Sequence, residues 1–406
     1  MIKEGKIINY RVGKNDSKMS RNINTFVSVL CSPPGAVAAV AVVVVACALR
    51  LSRLKINSRV TAPIVQMEGL DAEKSSLARM KLDYSPARKR VRQAFIQVQQ
   101  NLDHCLFKMV KSGVKTEEKY EINSRGLEIF TKSWLPEVGP LKAIIFFCHG
   151  YGDTCTFFFE GIAKKLAVSG YGVFAMDYPG FGLSEGLHCY IRSFDRLVDD
   201  VIEQFSKIRA KPEYKDLPCF LFGQSLGGAV ALKIHLKQPQ VWDGAVLVAP
   251  MCKLADDVTP PWLMIQILLV IARVFPKKKL VPQKDLAELA FRDLKKRKLA
   301  AYNVIAYKGK PRLRTAVQML RTTQEIEKRM HEVSLPLLIL HGAADIVTDP
   351  SVSKALYEKS RSVDKQLKLY DNAFHAILEG ESDERIYEVL DDIVSWLDAH
   401  CNTRQR

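Results

Sequence analysis

Ser225 is the residue in this chain best placed to do chemistry. It sits in Gly223-Gln224-Ser225-Leu226-Gly227, between the apolar run Cys219-Phe220-Leu221-Phe222 and a helix-like stretch beginning at Gly228. Gly-x-Ser-x-Gly is a common string, but a buried strand, a sharp turn and a helix form the setting of a nucleophile elbow. Such a turn pushes the serine hydroxyl out at the carboxyl end of a sheet, and the small glycines let the backbones pass one another. The chemistry is acyl transfer: serine attacks a carbonyl carbon and holds the acyl group covalently.

A serine hydroxyl is a weak nucleophile until a base takes its proton, so a histidine and an acid must follow. In an elbow of this kind the chain order is Ser, then Asp or Glu, then His. Of eight histidines, His104, His149 and His188 precede the serine, and His235 lies on the helix that leaves it. His331 precedes the next strand, His341 ends that strand and His400 sits near the end of the last helix. His375 remains, in the loop after the strand-like Gln366–Tyr370. The acid is Asp345, in His341-Gly342-Ala343-Ala344-Asp345 after the apolar Leu337–Leu340. Its competitor Asp349, next to Pro350, reads better as the N-cap of a helix over 351–360. The oxyanion needs donors as well. The strand 143–147 runs into Cys148-His149-Gly150-Tyr151-Gly152-Asp153, so the N–H groups of Tyr151 and Leu226 form the expected pair. His149 is expected to brace its loop and to take no part in the chemistry.

With these residues in place the chain resembles the monoacylglycerol lipases of the α/β-hydrolase superfamily, in their plant lysophospholipase-like branch. The resemblance rests on His-Gly-Tyr-Gly-Asp at 149–153, Asp-Tyr-Pro-Gly-Phe-Gly-Leu-Ser-Glu-Gly at 177–186 and Gly-Gln-Ser-Leu-Gly-Gly at 223–228. It continues through Val-Ala-Pro-Met-Cys-Lys at 248–253, His-Gly-Ala-Ala-Asp at 341–345 and Phe-His-Ala-Ile-Leu-Glu-Gly-Glu at 374–381, in collinear order over residues 80 to 400. It implies a Ser225–Asp345–His375 triad, no cofactor and a lipid ester substrate, monoacylglycerol. Relatives in the branch are similar to caffeoylshikimate esterases and lysophospholipases, so phenolic and phospholipid esters remain alternatives. Gly-Ala-Ala-Asp departs from the acidic or serine residue that relatives often carry after the glycine.

Alternating strands and helices predict an α/β fold with a doubly wound, mostly parallel central sheet, helices on both faces and an inserted helical cap. The strands fall at 143–147, 173–176, 219–222, 245–248, 337–340 and 366–370, preceded by a hairpin over 120–134 with its turn near Asn123–Gly126. Residues 86–250 and 335–403 make the core, 251–334 the cap, 61–85 a linker and 1–60 an N-terminal extension. Val91, Phe95, Val98, Leu102 and Leu106 predict one amphipathic helix over 86–108. In the cap, Trp262–Phe275 is apolar nearly all round and is followed by Lys277-Lys278-Lys279, so it must bury itself or meet lipid.

The formal net charge is +16, and its location says more than its size. Residues 1–60 hold ten Lys/Arg against two Asp/Glu, and residues 251–334 eighteen against eight. Basic segments on a near-neutral core, without a recognised binding motif, do not describe a nucleic-acid groove. They suit an approach to an anionic membrane surface through the N-terminal segment and the basic cap. Gly35–Leu49 is an uncharged apolar run of 15 residues, short of the ~20 of a spanning helix. A membrane anchor, a signal peptide and a plastid transit peptide therefore compete there, which leaves membrane association and the chloroplast as the expected locations. Nine cysteines, without a Cys-x-x-Cys pair, read as thiols of a reducing compartment and not as a disulfide or metal framework. A rival from another class is a small-molecule receptor on a hydrolase scaffold, which the large cap and the extension disfavour.

Overall fold

The computed structural model describes residues 76–77, 79–253, 262–281 and 285–401, so the readings for residues 1–60 and most of the linker lie outside the described residues. The element order is α1 (Ser85–Gln100), α2 (Cys105–Lys108), β1 (Val114–Ile122), β2 (Glu128–Pro136), β3 (Ala143–Cys148), α3 (Phe158–Val168), β4 (Tyr171–Met176) and α4 (Phe194–Arg209). It continues through β5 (Cys219–Gln224), α5 (Leu226–Lys237), β6 (Gly244–Val248), α6 (Trp262–Val274), α7 (Leu286–Ala290), α8 (Leu294–Ala300) and α9 (Leu313–Arg329). A short 3₁₀ turn, β7 (Leu337–Gly342), α10 (Pro350–Lys359), β8 (Lys365–Tyr370) and α11 (Asp383–Cys401) complete it. Among the described residues no helix is long and apolar enough to cross a membrane.

The eight strands form one sheet in the order β1-β2-β4-β3-β5-β6-β7-β8. β1, β2 and β4 pair antiparallel, and the six strands from β3 to β8 run parallel. Strands covered on both faces must be apolar throughout, and β3, β5, β6 and β7 are buried at every residue. Their alternate side chains feed two cores. Ile145, Phe147, Phe220, Phe222 and Leu340 pack under α1, α3 and α11. Ile144, Phe146, Leu221, Leu247 and Ile339 pack under α4 and α5. β1 carries Lys115, Glu117, Glu118, Lys119 and Glu121 on the free edge, charges that discourage a further strand. From β3 the chain moves to β4 on one side and to β5 on the other. Beyond the carboxyl ends of β3 and β5, where the order reverses, is the usual place for a ligand in an open parallel sheet.

Two expectations need correction. The helix expected over 86–108 is two helices, because Asn101 closes α1 and its side chain turns back to the Gln97 carbonyl. His104 then caps α2 by accepting from the Leu106 N–H. Val91, Phe95 and Leu106 reach the core as their spacing predicts. The carboxyl end of the expected linker is no linker: Leu77 lies in the core, and Asp83 pairs with Arg312 at 2.6 Å.

Arg88 on α1 is fully buried and spends its guanidinium on the carbonyls of Leu82, Gly182, Ser184 and Gly186. Burial lowers its pKa to about 10, still far above neutrality, so it stays charged. It locks the loop 177–186 to the N-terminal helix. Arg88→Met is expected to lower unfolding stability by on the order of 3 kcal/mol, because several buried carbonyls lose their donors. Urea denaturation of both proteins checks this.

Candidate active site

The elbow forms because β5 is apolar and stops at Gln224, after which the backbone must turn sharply. Ser225 has φ 53° and ψ −116°, in the left-handed half of the map where a non-glycine residue is strained. Three bonds at 2.9 Å hold it there: its N–H donates to Val248 O, and its carbonyl accepts from the N–H groups of Gly228 and Met251. The flanking glycines are obligatory for space. A Cβ on Gly223 would stand 2.5 Å from Gly227 O, one on Gly228 would stand 2.5 Å from Pro250, and one on Gly227 would collide with Cys148 O.

Asp345 and His375 follow the ends of β7 and β8. His375 Nδ1 and Asp345 Oδ2 are 2.7 Å apart, so Nδ1–H donates to the carboxylate and Nε2 is left as the basic nitrogen. Asp345 is 5% exposed. Its Oδ2 also accepts from Thr348 Oγ1 and from His341 Nε2, while Oδ1 accepts from the N–H groups of Val347 and Thr348. Burial alone would raise the pKa of Asp345, but His375 and His341 outweigh it and hold the carboxyl far below its usual range. Burial likewise disfavours the His375 cation, yet Asp345 opposite it keeps the pKa above the ordinary imidazole value. Asp349 caps α10 by accepting from Ser351 N–H at 2.7 Å.

His341, which the sequence places at the end of a strand and upstream of Asp345, also reaches the carboxylate. Its Nε2 lies between Asp345 Oδ2 (2.9 Å) and Thr348 O (2.8 Å), both acceptors, so Nε2 carries the proton and Nδ1 accepts from Ser353 Oγ. It donates to the same Asp345 oxygen as His375 does. The i, i+4 spacing of His341 and Asp345 was the available signal, but the turn that brings the two together is a tertiary feature.

Around the elbow, the position of a Gly150 Cβ would lie 3.6 Å from Ser225 Cβ, so the loop carrying Tyr151 abuts the serine. Leu226 is the first residue of α5, where N–H groups have no partner within the helix. His149 is fully buried and stacks on Tyr178 at 3.9 Å. Its Nδ1–H donates to Gly150 O and its Nε2 accepts from Tyr178 N–H, the bracing role its position suggested. Asp177 ties this loop to the 177–186 loop by accepting from Cys155 N–H, Thr154 Oγ1 and Leu183 N–H. From the segment after α8, Tyr307 N–H donates to Gly152 O at 2.7 Å and Asn303 to Asp153 at 3.0 Å. Gln224 Nε2 donates to Glu379 Oε1 at 2.7 Å, fastening the loop that carries His375 to the residue before Ser225. Among the described residues no cluster of His, Cys, Asp and Glu could hold a metal ion.

A family model described as serine aminopeptidase, S33, matches residues 139–383. The chain belongs to that family. Caffeoylshikimate esterase of Arabidopsis thaliana is 35% identical over 287 residues, covering 70% of this chain and 86% of the relative. Monoglyceride lipase of Mus musculus is 31% identical over 278 residues, covering 68% and 88%. The Paleococcus ferrophilus monoacylglycerol lipase structure superposes with TM-score 0.58 at 24% identity, covering 68% of this chain and 99% of that one. At that identity the superposition speaks for the fold, which is that of an α/β hydrolase. The chain is therefore a serine hydrolase of the carboxylic ester hydrolase class.

Asp345→Asn is expected to lower kcat by on the order of 10⁴, since an amide neither fixes the His375 tautomer nor stabilises its cation. Asp349→Asn should leave kcat within about twofold, because Asn also caps helices well. Steady-state rates of the two purified proteins on one soluble ester decide between the acids.

Proposed function

We propose that the chain hydrolyses the ester bond of monoacylglycerol through an acyl-enzyme. Ser225 Oγ attacks the ester carbonyl while His375 Nε2 takes its proton. The N–H groups of Tyr151 and Leu226 receive the oxyanion, and Asp345 stabilises the imidazolium. His375 then returns the proton to the glycerol oxygen, and water, deprotonated by the same nitrogen, releases the fatty acid. The observation that carries this reading is the 2.7 Å bond between His375 and a buried carboxylate, at the sheet end where Ser225 is held in a strained turn. The mouse monoglyceride lipase relative supports the glyceride substrate. The 35% identity to a caffeoylshikimate esterase favours a phenolic ester as the second reading. Turnover of the full-length protein on a monoacylglycerol, a lysophospholipid and a caffeoyl ester ranks the three. Ser225→Ala should lose about 10⁴- to 10⁶-fold in kcat on the preferred one without loss of fold.

The same reading places the enzyme at a lipid surface. On α6, Ile267, Val270 and Val274 are exposed by 42, 45 and 65%, and their i, i+3, i+7 spacing puts them on one face. Phe275 and Leu280 are exposed nearby, on either side of Lys277-Lys278-Lys279. The opposite face, through Leu268 and Ala272, packs on Leu313 and Val317 of α9. An apolar stripe ending in cations fits a membrane interface, where each basic group contributes about 1 kcal/mol. Residues 1–60 would add an anchor or direct the chain to the chloroplast. Changing Lys277, Lys278 and Lys279 together to Gln should slow hydrolysis of substrate in anionic vesicles several-fold at low salt, with no change on a soluble ester. Vesicle assays at two ionic strengths measure it.

A further inference from the structure

Glu379 is a carboxyl group that the hydrolytic mechanism above does not use. It is 8% exposed, and its Oε2 is buried with no hydrogen-bond partner among the described residues. Oε1 accepts from Gln224 Nε2 at 2.7 Å, and Gln224 immediately precedes the strained Ser225. The backbone of Glu379 is pinned as well. His104 Nδ1 accepts from Leu106 N–H, which leaves the ring proton on Nε2, and Nε2 donates to Glu379 O at 2.9 Å. One residue on, Gly380 O accepts the N–H groups of Arg292 and Asp293, so the α7–α8 segment is attached at the same point. Glu379 thus joins the elbow, the His375 loop, the N-terminal helices and the segment between α7 and α8.

We propose that Glu379 is a positioning residue for the ester hydrolysis, holding Gln224, and through it Ser225, in register with the His375 loop. The proposal rests on the serine-hydrolase reading above. A serine in a strained turn stays productively aimed only if both sides of the turn are over-determined, and the bond from Glu379 is the side-chain restraint on the strand side.

The charge state follows from what faces the carboxyl. Asp153 on the oxyanion loop, Gln224 on β5 and His375 on its own loop surround it. Arg292 and Asp293 offer only backbone amides at Gly380, and Arg292 Nη1 turns to Asn372 O. Burial, with Asp153 adding to it, pushes the Glu379 pKa up to about 7, and burial raises Asp153 as well. The protonated acid still accepts the Gln224 N–H through its carbonyl oxygen. When ionised, Glu379 adds to Asp345 in favouring the His375 cation.

The test compares Glu379→Ala, Glu379→Gln and Ser225→Ala in the full chain, with kcat and KM on a soluble short-chain ester, the pH profile of kcat/KM, and thermal melting. Glu379→Ala should lose about 10²-fold in kcat with KM within about twofold, the signature of a misplaced nucleophile. Glu379→Gln, which keeps the acceptor, should return kcat to within about threefold of wild type. It should also move the acid limb to lower pH, since His375 loses an anionic neighbour. A folded Glu379→Ala enzyme with wild-type kcat, or a folded Glu379→Gln enzyme as slow as the alanine variant, overturns the proposal. If the alanine variant does not fold, Gln224→Ala, which removes the same bond from the other side, decides: a loss of about 10²-fold in kcat with KM within about twofold supports the proposal, and a folded variant with wild-type kcat refutes it. Ser225→Ala reports on the underlying reading, since turnover surviving there rejects the serine mechanism whatever Glu379 does.

Discussion

The arrangement of this site depends on one strained residue. A backbone at φ 53° with a side chain on it is held only where neighbours leave no alternative, and here the carbonyls, amides and glycines around Ser225 do so. The bond from Ser225 N–H to Val248 O joins the turn to β6, and the contact of Gly227 with Cys148 O sets α5 against β3. The reversal of strand order at β3 and β5 puts two strand ends next to each other, so the loop carrying Tyr151 and the turn carrying Ser225 arrive together.

Electrostatics then decide what the geometry can do. Asp345 accepts hydrogen bonds at both oxygens and stays ionised despite its burial, because two imidazoles and two backbone amides face it. A fixed buried anion holds the neighbouring histidine in one tautomer and stabilises its cation. His149, still more deeply buried and bonded to neutral groups, is pushed the other way and stays neutral as a brace. Burial is common to both imidazoles; the charge across from each decides its role.

Much of this was legible in the sequence, and the reason is local. The parallel strands other than β8, which is Lys365-Gln366-Leu367-Lys368-Leu369-Tyr370, are apolar runs bounded by turn residues, and each parallel strand is located to within two residues of its observed ends. The turn at Ser225 and the loops carrying Asp345 and His375 have short signatures because each is shaped within a few residues of backbone. What escaped was non-local in every case but one. The helix expected over 86–108 broke at Asn101, where hydrophobic spacing ran on past a residue that caps a helix end. His341, Arg88 and Glu379 act on partners brought near by the fold, and periodicity gives no account of them. Leu77, inside the segment expected to be a linker, is in the core, a contact that only the fold supplies.

The most direct test of the central claim, that the hydroxyl of Ser225 is the nucleophile activated by His375, is covalent trapping. The full-length protein would be incubated at neutral pH with a fluorophosphonate, a reagent that captures activated serines, and examined by intact mass and peptide mapping. The account predicts one adduct per chain, located on Ser225, and its loss in a folded His375→Ala variant. An adduct on another residue, or labelling of Ser225 at the same rate without His375, would contradict it.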